Sequence, residues 1–480
     1  MSFNGIITAI NNIVWSTPMI ILCVGAGLFF TIRLGFPQIR HFGEMWKLLT
    51  GKEKSDNGVT PFQAFATTVG GRVGVGSIAG VATAICLGGP GAVFWMWVIA
   101  LVGMATAFVE SALGQAYKTK INGEYVGGPQ YYIERALGKK WYGVLYAVAA
   151  FLALGILCPG AQTYSIVSSM KSAFGINVYI MGAIVCVLLA LIIFGGVKRI
   201  GKTAQIIAPF MSVLFVLMAL IIIVVNIRSL PAVIVLIFKS AFGAEKMFSG
   251  MIGASILWGV KRGIFSNEAG DGTGALVAAA AEGTHPAKQG LIQSLSIFIT
   301  TIVIGSATAF MILLTGAYNV MDASGNFIVN NLPGVEYGIL YTQEAINQSL
   351  PGGIGNAFVA ISVLLFAFTS LMAFYYMAES NMSYIMPGSK AAKNFTRVVF
   401  LAATYYGVVN TGEMIWTCGD LGVGLMFWLN IIAILILSKQ AVIILKDYEK
   451  QKKLGIDPVF DPAILGIDDK ENIWNVNKTA

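Results

Sequence analysis

Apolar runs long enough to cross the ~30 Å hydrocarbon core of a bilayer recur along almost the whole chain. A backbone inside lipid must satisfy its own hydrogen bonds, which leaves helices or closed barrels as the only spanning structures. The runs are too long for barrel strands, so they read as helices. Only 11% of the 480 residues are charged and the mean hydropathy is +0.76, whereas soluble domains carry about a quarter charged residues. The fold class is an all-α polytopic membrane protein. Eleven helices are predicted near 13–35, 61–87, 91–117, 141–170, 177–196, 202–226, 247–280, 287–316, 353–386, 395–411 and 414–438. Residues 1–12 lack the charged start and cleavage site of a signal peptide, so the first helix is expected to be retained.

Charge orients these spans. The alternate connections 33–60, 118–140, 197–202, 281–290 and 387–397, with the tail from 439, hold 24 of the 31 Lys and Arg, and the opposite connections hold 4. The positive-inside rule then predicts a cytoplasmic C-terminus and an external N-terminus. It also accounts for the net charge of +8 without nucleic acid. The loop 317–352 carries acids and no Lys or Arg, and reads as external.

Two predicted helices cannot be regular throughout. The second contains Gly70, Gly71, Gly74, Gly76 and Gly80 around Arg72, and each glycine costs up to ~1 kcal/mol in a helix relative to alanine. The seventh holds Lys261, Arg262, Glu268 and Asp271 among the glycines of the stretch 259–272. Close helix packing explains isolated pairs such as Gly76 and Gly80. It does not explain why both clusters also carry charged and polar side chains, which are costly at that depth. Unwound backbone lining a cavity explains both, with freed N–H groups facing a carboxylate and freed C=O groups facing a cation. With helix 1 as a peripheral addition, helices 2–6 (61–226) and 7–11 (247–438) form a 5+5 inverted repeat, each half beginning with its discontinuous helix. Residues 1–440 then form one transmembrane transporter domain and 441–480 a cytoplasmic tail.

Other classes fit less well. Cys23, Cys86, Cys158, Cys186 and Cys418 stand singly in apolar surroundings, and the two histidines, His41 and His285, lie in polar connections. No Ser/His/Asp set, HExxH or Walker sequence is present, so no enzyme or ATP-driven pump is expected. A channel is the more distant alternative, since channels show filters repeated by oligomeric symmetry rather than internal two-fold organisation.

The run from Gly88-Gly89-Pro90-Gly91 through Trp95-Met96-Trp97 to Gly103 resembles the signature of the bacterial and archaeal sodium:alanine/glycine symporter family. So do Arg262-Gly263-Ile264-Phe265-Ser266-Asn267-Glu268-Ala269-Gly270 and Gly123-Glu124-Tyr125-Val126-Gly127-Gly128-Pro129. The resemblance covers nearly the whole chain. It implies a leucine-transporter type of fold in a prokaryotic cell membrane, and uptake of a small neutral amino acid, alanine or glycine, with Na⁺ as coupling ion. No obligate protein partner is implied.

Several positions depart from the family pattern. Gly74-Val75-Gly76-Ser77 replaces Gly-Thr-Gly-Asn, Asp271-Gly272-Thr273-Gly274 replaces an apolar residue followed by Gly-Ser-Ala, and Thr300 replaces an aspartate. Phe374 stands for a tryptophan and Tyr164 for an asparagine. These changes cluster at the inferred site. They suit another neutral amino acid such as glutamine, or altered cation coupling, with a lineage variant of unchanged substrate as the alternative.

The resemblance assigns roles. The substrate carboxylate is expected at the N–H groups around Gly74, Val75 and Gly76, with Ser77 beside them. The ammonium is expected at the carbonyls from Phe265 through Asn267 to Ala269. Gln162, Phe265 and Phe374 close around a small side chain. Carbonyls of Gly70 and Val73 with the hydroxyls of Thr369 and Ser370 are the Na⁺ ligands by fold analogy. Thr369 and Ser370 could equally bond carbonyls one turn back. Asp271 and Arg72 are candidates for coupling or gating on their own chemistry: a carboxylate beside the break can bind a substrate amine, supplement the cation site or accept a proton, and the leading expectation is that it neutralises Arg72 or Arg262. Glu110 is expected to pair with backbone or a basic partner, and Trp95 and Trp97 to be structural anchors.

Overall fold

Prolines and capping side chains start the helices where polar connections end. Thr60 and Gln63 form a capping box ahead of Pro61, with Oγ1 of Thr60 accepting from the Gln63 N–H at 3.2 Å and Oε1 of Gln63 accepting from the Thr60 N–H at 3.0 Å. Nδ1 of His285 accepts from the N–H of Ala287 ahead of the helix that begins at Pro286. The computed structural model describes residues 3–51, 55, 58–121, 123–469 and 472–474.

In chain order the helices that build the spans and the tail are α1 (Phe3–Val14), α2 (Thr17–Arg33), α3 (Pro61–Val73), α4 (Val81–Gly88), α5 (Gly91–Ala116), α6 (Lys140–Leu152), α7 (Pro159–Phe174), α8 (Val178–Ile193), α9 (Gly196–Val225), α10 (Leu230–Ala241), α11 (Ile252–Asn267), α12 (Thr273–Ala280), α13 (Pro286–Ile297), α14 (Ser306–Thr315), α15 (Ile354–Ile385), α16 (Lys390–Tyr406), α17 (Gly412–Ile436) and α18 (Ser438–Lys453), and shorter helices over Pro37–Arg40, Phe42–Leu49, Pro129–Leu137 and Ile339–Ser349 lie in the connections. Two antiparallel hairpins lie in the connections. β1 (Thr119–Ile121) pairs with β2 (Glu124–Val126), and β3 (Asn319–Met321) with β4 (Phe327–Asn330).

Among the described residues, seven continuous helices are long and apolar enough to cross a membrane, and two bent pairs raise this to nine. The bent pairs are Pro61–Val73 with Gly76–Gly88, at 45°, and Ile227–Ala241 with Lys246–Asn267, at 44°. α8 and α16 are shorter, at 16 and 17 residues.

The structure corrects several sequence expectations. The break in the seventh predicted helix is confined to Glu268–Gly272, so Gly259, Lys261 and Arg262 belong to the regular helix α11. The 227–246 connection carries α10, and the loop 317–352 carries the β3–β4 hairpin and a helix over Ile339–Ser349. The tail is helical through α18, and Phe460 and Trp474 bury against the rest of the chain.

Burial ranks the helices. α5, α13 and α15 are the central ones, with α11 and α13 packed on α5, and α3 and α7 packed on α15. α9 is the opposite case. Ile206, Phe210, Val213, Leu217 and Val224 are exposed along it, an apolar face that suits lipid contact.

Candidate functional site

α3 ends at Val73, so the carbonyls of its last turn have no intrahelical partner. α15 meets that turn with hydroxyls. Oγ1 of Thr369 donates to the carbonyl of Gly70 at 3.1 Å, and Oγ of Ser370 donates to those of Gly70 and Gly71 at 2.8 Å each. Both also bond the carbonyl of Phe366 on their own helix, the bonding about one turn back that the sequence allowed. A Cβ at Gly70 would lie 2.9 Å from Cβ of Thr369, which explains the need for glycine there. The carbonyl that joins Gly70 at Ser370 is that of Gly71, while Val73 is fully buried at the helix end. Four uncharged oxygens thus converge at the negative end of a helix, the donor type and charge a hard monovalent cation favours.

Beyond the break, Gly76–Gly80 is a π-helical turn leading into α4. Oε1 of Gln162, on α7, accepts the N–H of Val75 at 3.2 Å. Gly76 packs against α11 so closely that a Cβ would lie 3.1 Å from the carbonyl oxygen of Phe265. Ser77 ties the elements together. Its Oγ shares a 2.9 Å hydrogen bond with Oγ of Ser266 and reaches the Thr300 carbonyl at 3.2 Å, while Thr308 donates to its carbonyl at 2.9 Å. Thr300 and Thr301 sit in a π-helical stretch, Phe298–Gly305, and Thr301 meets Ser266 at 3.3 Å. The structure therefore brings together Gly74, Val75, Gly76, Ser77, Gln162 and Phe265. Asn267 and Ala269 face α5 at Gly103, and Phe374 is buried one turn beyond Ser370.

The second break is organised differently. Glu268 adopts a left-handed conformation (φ 52°), as do Gly270 (φ 100°) and Gly272 (φ 96°). Oε2 of Glu110, on α5, accepts from the N–H groups of Gly270 and Gly272 at 3.1 Å each and from Nδ2 of Asn430 at 3.2 Å. Its Oε1 lies 3.6 Å from Nη2 of Arg72. Glu110 thus pairs with both backbone and a basic partner, as expected. Asp271 does not pair with Arg72 or Arg262, a correction to the sequence reading. Its Oδ1 instead accepts from the N–H and Oγ1 of Thr273, at 2.9 and 2.8 Å, at the start of α12, whose N-cap is Gly272. Arg262 is taken by a carboxylate the sequence reading missed. Nη1 and Nη2 donate to Oδ1 and Oδ2 of Asp420 at 2.9 Å, and Nζ of Lys261 lies 2.8 Å from Oδ2. A lone acid inside the apolar run 414–438 was the available signal.

This triad floors a vestibule of about 930 Å³, lined by Asn11, Trp15, Tyr164, Trp258, Glu336 and Trp416 on the side of the Lys/Arg-poor connections. Arg262 stacks over Trp258, Phe265 and Trp416. The ring of Phe265 stands 5.3 Å from that of Trp416 and touches Gly76 on its other side. A layer of Arg262, Asp420, Trp416 and Phe265 therefore separates the vestibule from the first break. Trp95 and Trp97 are structural, donating to the Ala241 carbonyl and to Ser306.

The Na⁺-coupled sialic acid symporter shares the fold, with a TM-score of 0.54 at 14% identity over 97% of this chain and 96% of that one. A protein of Bacillus sp. (strain PS3) named "Sodium/proton-dependent alanine carrier protein" is 48% identical over 88% of this chain and 95% of its own length. A protein of Bacillus subtilis (strain 168) named "Probable sodium/glutamine symporter" is 41% identical over 98% and 95%. The sodium:alanine symporter family model matches residues 1–462, and the chain belongs to that family.

Proposed function

We propose that this protein imports a small neutral amino acid, alanine or glycine, together with Na⁺ by alternating access across the cell membrane. The observation that carries the reading is the first break. Carbonyls of Gly70 and Gly71 meet the hydroxyls of Thr369 and Ser370, and at the start of the next helical turn the Val75 N–H donates to the uncharged Gln162 amide. The contrast with the second break is informative. There the N–H groups are already held by the Glu110 carboxylate, so a substrate carboxylate belongs at Val75, Gly76 and Ser77. Na⁺ fits the oxygen cluster beside it, and the two opposite charges favour each other's binding.

The layer of Arg262, Asp420, Trp416 and Phe265 is the external barrier in this reading. The 5+5 layout has support from reciprocal contacts. The third helix of the second half reaches the first break through Ser370, and the third of the first half reaches the second break through Tyr146, whose OH donates to the Asp271 carbonyl at 2.8 Å. α8 and α16 complete eleven spans, with the N-terminus outside and the tail from 441 inside.

Uptake of labelled alanine and glycine into proteoliposomes, with and without an inward Na⁺ gradient, tests this. Saturable uptake that collapses without Na⁺ is expected, and Na⁺-independent uptake of both would refute it. A second reading, glutamine as cargo, is favoured by the 41% identical relative named for it. Competition by unlabelled glutamine in the same assay separates the two.

A further inference from the structure

The second break encloses more negative charge than its partners offset. Glu110, Glu268 and Asp271 are each at most 4% exposed, and Arg72 is 1% exposed. Arg72 and the N–H groups of Gly270 and Gly272 answer Glu110. Lys261 and Arg262 are committed to Asp420. Among the described groups that act on Glu268 and Asp271, which are Arg72, Glu110, Tyr132, Tyr146, Cys158 and the Thr273 hydroxyl, Arg72 is the one cation, and Glu110 shares it.

The hydrogen bonding shows the same imbalance. Oδ2 of Asp271, Oε2 of Glu268 and Oε1 of Glu110 have no hydrogen-bond partner among the described residues, and neither do Nε and Nη2 of Arg72 or Nδ2 of Asn267. Nη2 of Arg72 is aimed into the cluster. A Cβ at Gly274 would lie 2.7 Å from it and 2.8 Å from Oε1 of Glu110. Three ionised carboxylates enclosed around one arginine cost far more than a cluster in which one of them is protonated. Ionisable groups at such depth in transporters mark ion pathways and proton relays. Glu268 and Asp271 lie in the break itself, with Glu268 in a left-handed conformation at the end of α11.

We propose that Glu268 and Asp271 form a proton-binding site in the second discontinuous helix, held in register by Glu110 and Arg72, and that its occupancy is linked to transport. The proton comes from water on one side of the membrane and resides on a free carboxylate oxygen of Glu268 or Asp271. It leaves as hydronium when the break rearranges. The inference rests on the symporter reading above for its link to transport, though not for the protonation itself.

The test has two parts that fail separately. Infrared difference spectra of the purified chain in lipid, taken between acidic and alkaline buffer and after exchange into D₂O, report the C=O stretch of a protonated carboxyl. A band present in the parent and lost or shifted in Asp271→Asn and in Glu268→Gln is expected. A spectrum unchanged by both substitutions overturns the site. In proteoliposomes with a fixed Na⁺ gradient, the pH midpoint of amino-acid uptake is expected to move by a unit or more in Glu268→Gln and Asp271→Asn. An unmoved midpoint with a tenfold loss of Na⁺ affinity would assign the cluster to a second Na⁺ instead and overturn the proposal. If the parent transports no neutral amino acid while its carboxyl band is lost in the variants, the symporter reading fails and the proton site stands.

Discussion

Asp420→Asn separates the barrier beneath the vestibule from the rest of the site. The carboxylate receives hydrogen bonds from Arg262 at 2.9 Å through both oxygens and meets Nζ of Lys261 at 2.8 Å, with side-chain exposures of 3%, 4% and 9% for Asp420, Arg262 and Lys261. Removing one partner of a buried pair costs about 3–5 kcal/mol, because the other charge stays buried. An asparagine keeps one acceptor, and the Trp258, Phe265 and Trp416 rings go on stabilising the guanidinium. The closed arrangement should therefore lose about 2–3 kcal/mol, a shift of roughly 30- to 150-fold toward the open one at 1.4 kcal/mol per tenfold. Cys158 is a native reporter behind the barrier, its thiol 3.7 Å from the Gly419 carbonyl and one turn before Gln162. With the other four cysteines replaced by serine, labelling of Cys158 by an impermeant maleimide from the vestibule side should accelerate by a comparable factor. Equal labelling rates with and without the substitution, in protein that still runs as a single species on gel filtration, would show that the triad does not hold the barrier closed.

Ser370→Ala removes the hydroxyl shared by the Gly70 and Gly71 carbonyls. Hydrogen bonds and ligand contacts to charged species are worth about 1.5–3 kcal/mol, so the Na⁺ concentration for half-maximal uptake should rise at least tenfold, read from Na⁺ titrations of uptake. Gly274→Ala drives a methyl between Nη2 of Arg72 and Oε1 of Glu110. Overpacking of this kind costs about 1–3 kcal/mol, and a lower midpoint is expected in a thermal-melt gel-filtration assay, with Gly250→Ala, where nothing lies within 4 Å, as the silent control. Lys118 lies outside the spans, and burial pushes its ammonium down to about 7. Its Nζ sits 4.3 Å from the Tyr125 ring and 4.6 Å from that of Trp474 in the tail, and the ring faces offset only part of that cost. Between pH 7 and the ordinary lysine range the undocked state binds more protons, so tail docking strengthens as pH rises, by up to about 1.4 kcal/mol per unit. Protease protection of the segment after Lys453 should increase from pH 7 to 9 and become pH-independent in Lys118→Met.

The sequence by itself determined the membrane-spanning helical class, the place of the first break and the family. Those follow from local quantities: the length of apolar runs, the density of glycine between 70 and 80, and motif residues in fixed order. It also placed Gly70, Thr369 and Ser370 together through the resemblance, nearly 300 positions apart. What it left open was which charge answers which. Arg262 and Asp271 are nine residues apart and on one predicted helix, and pairing them was the reasonable local reading. The helix continues to Asn267, however, and carries Arg262 toward the vestibule while the break turns Asp271 onto the N–H of Thr273 at the start of α12. Asp420, from a helix more than 150 residues later, then takes the guanidinium. Charges inside a membrane choose partners by three-dimensional proximity, since low dielectric makes each contact strong and each omission costly. Only the tertiary packing of α5, α11, α12 and α17 decides that proximity, and with it the excess of carboxylates at Glu268 and Asp271.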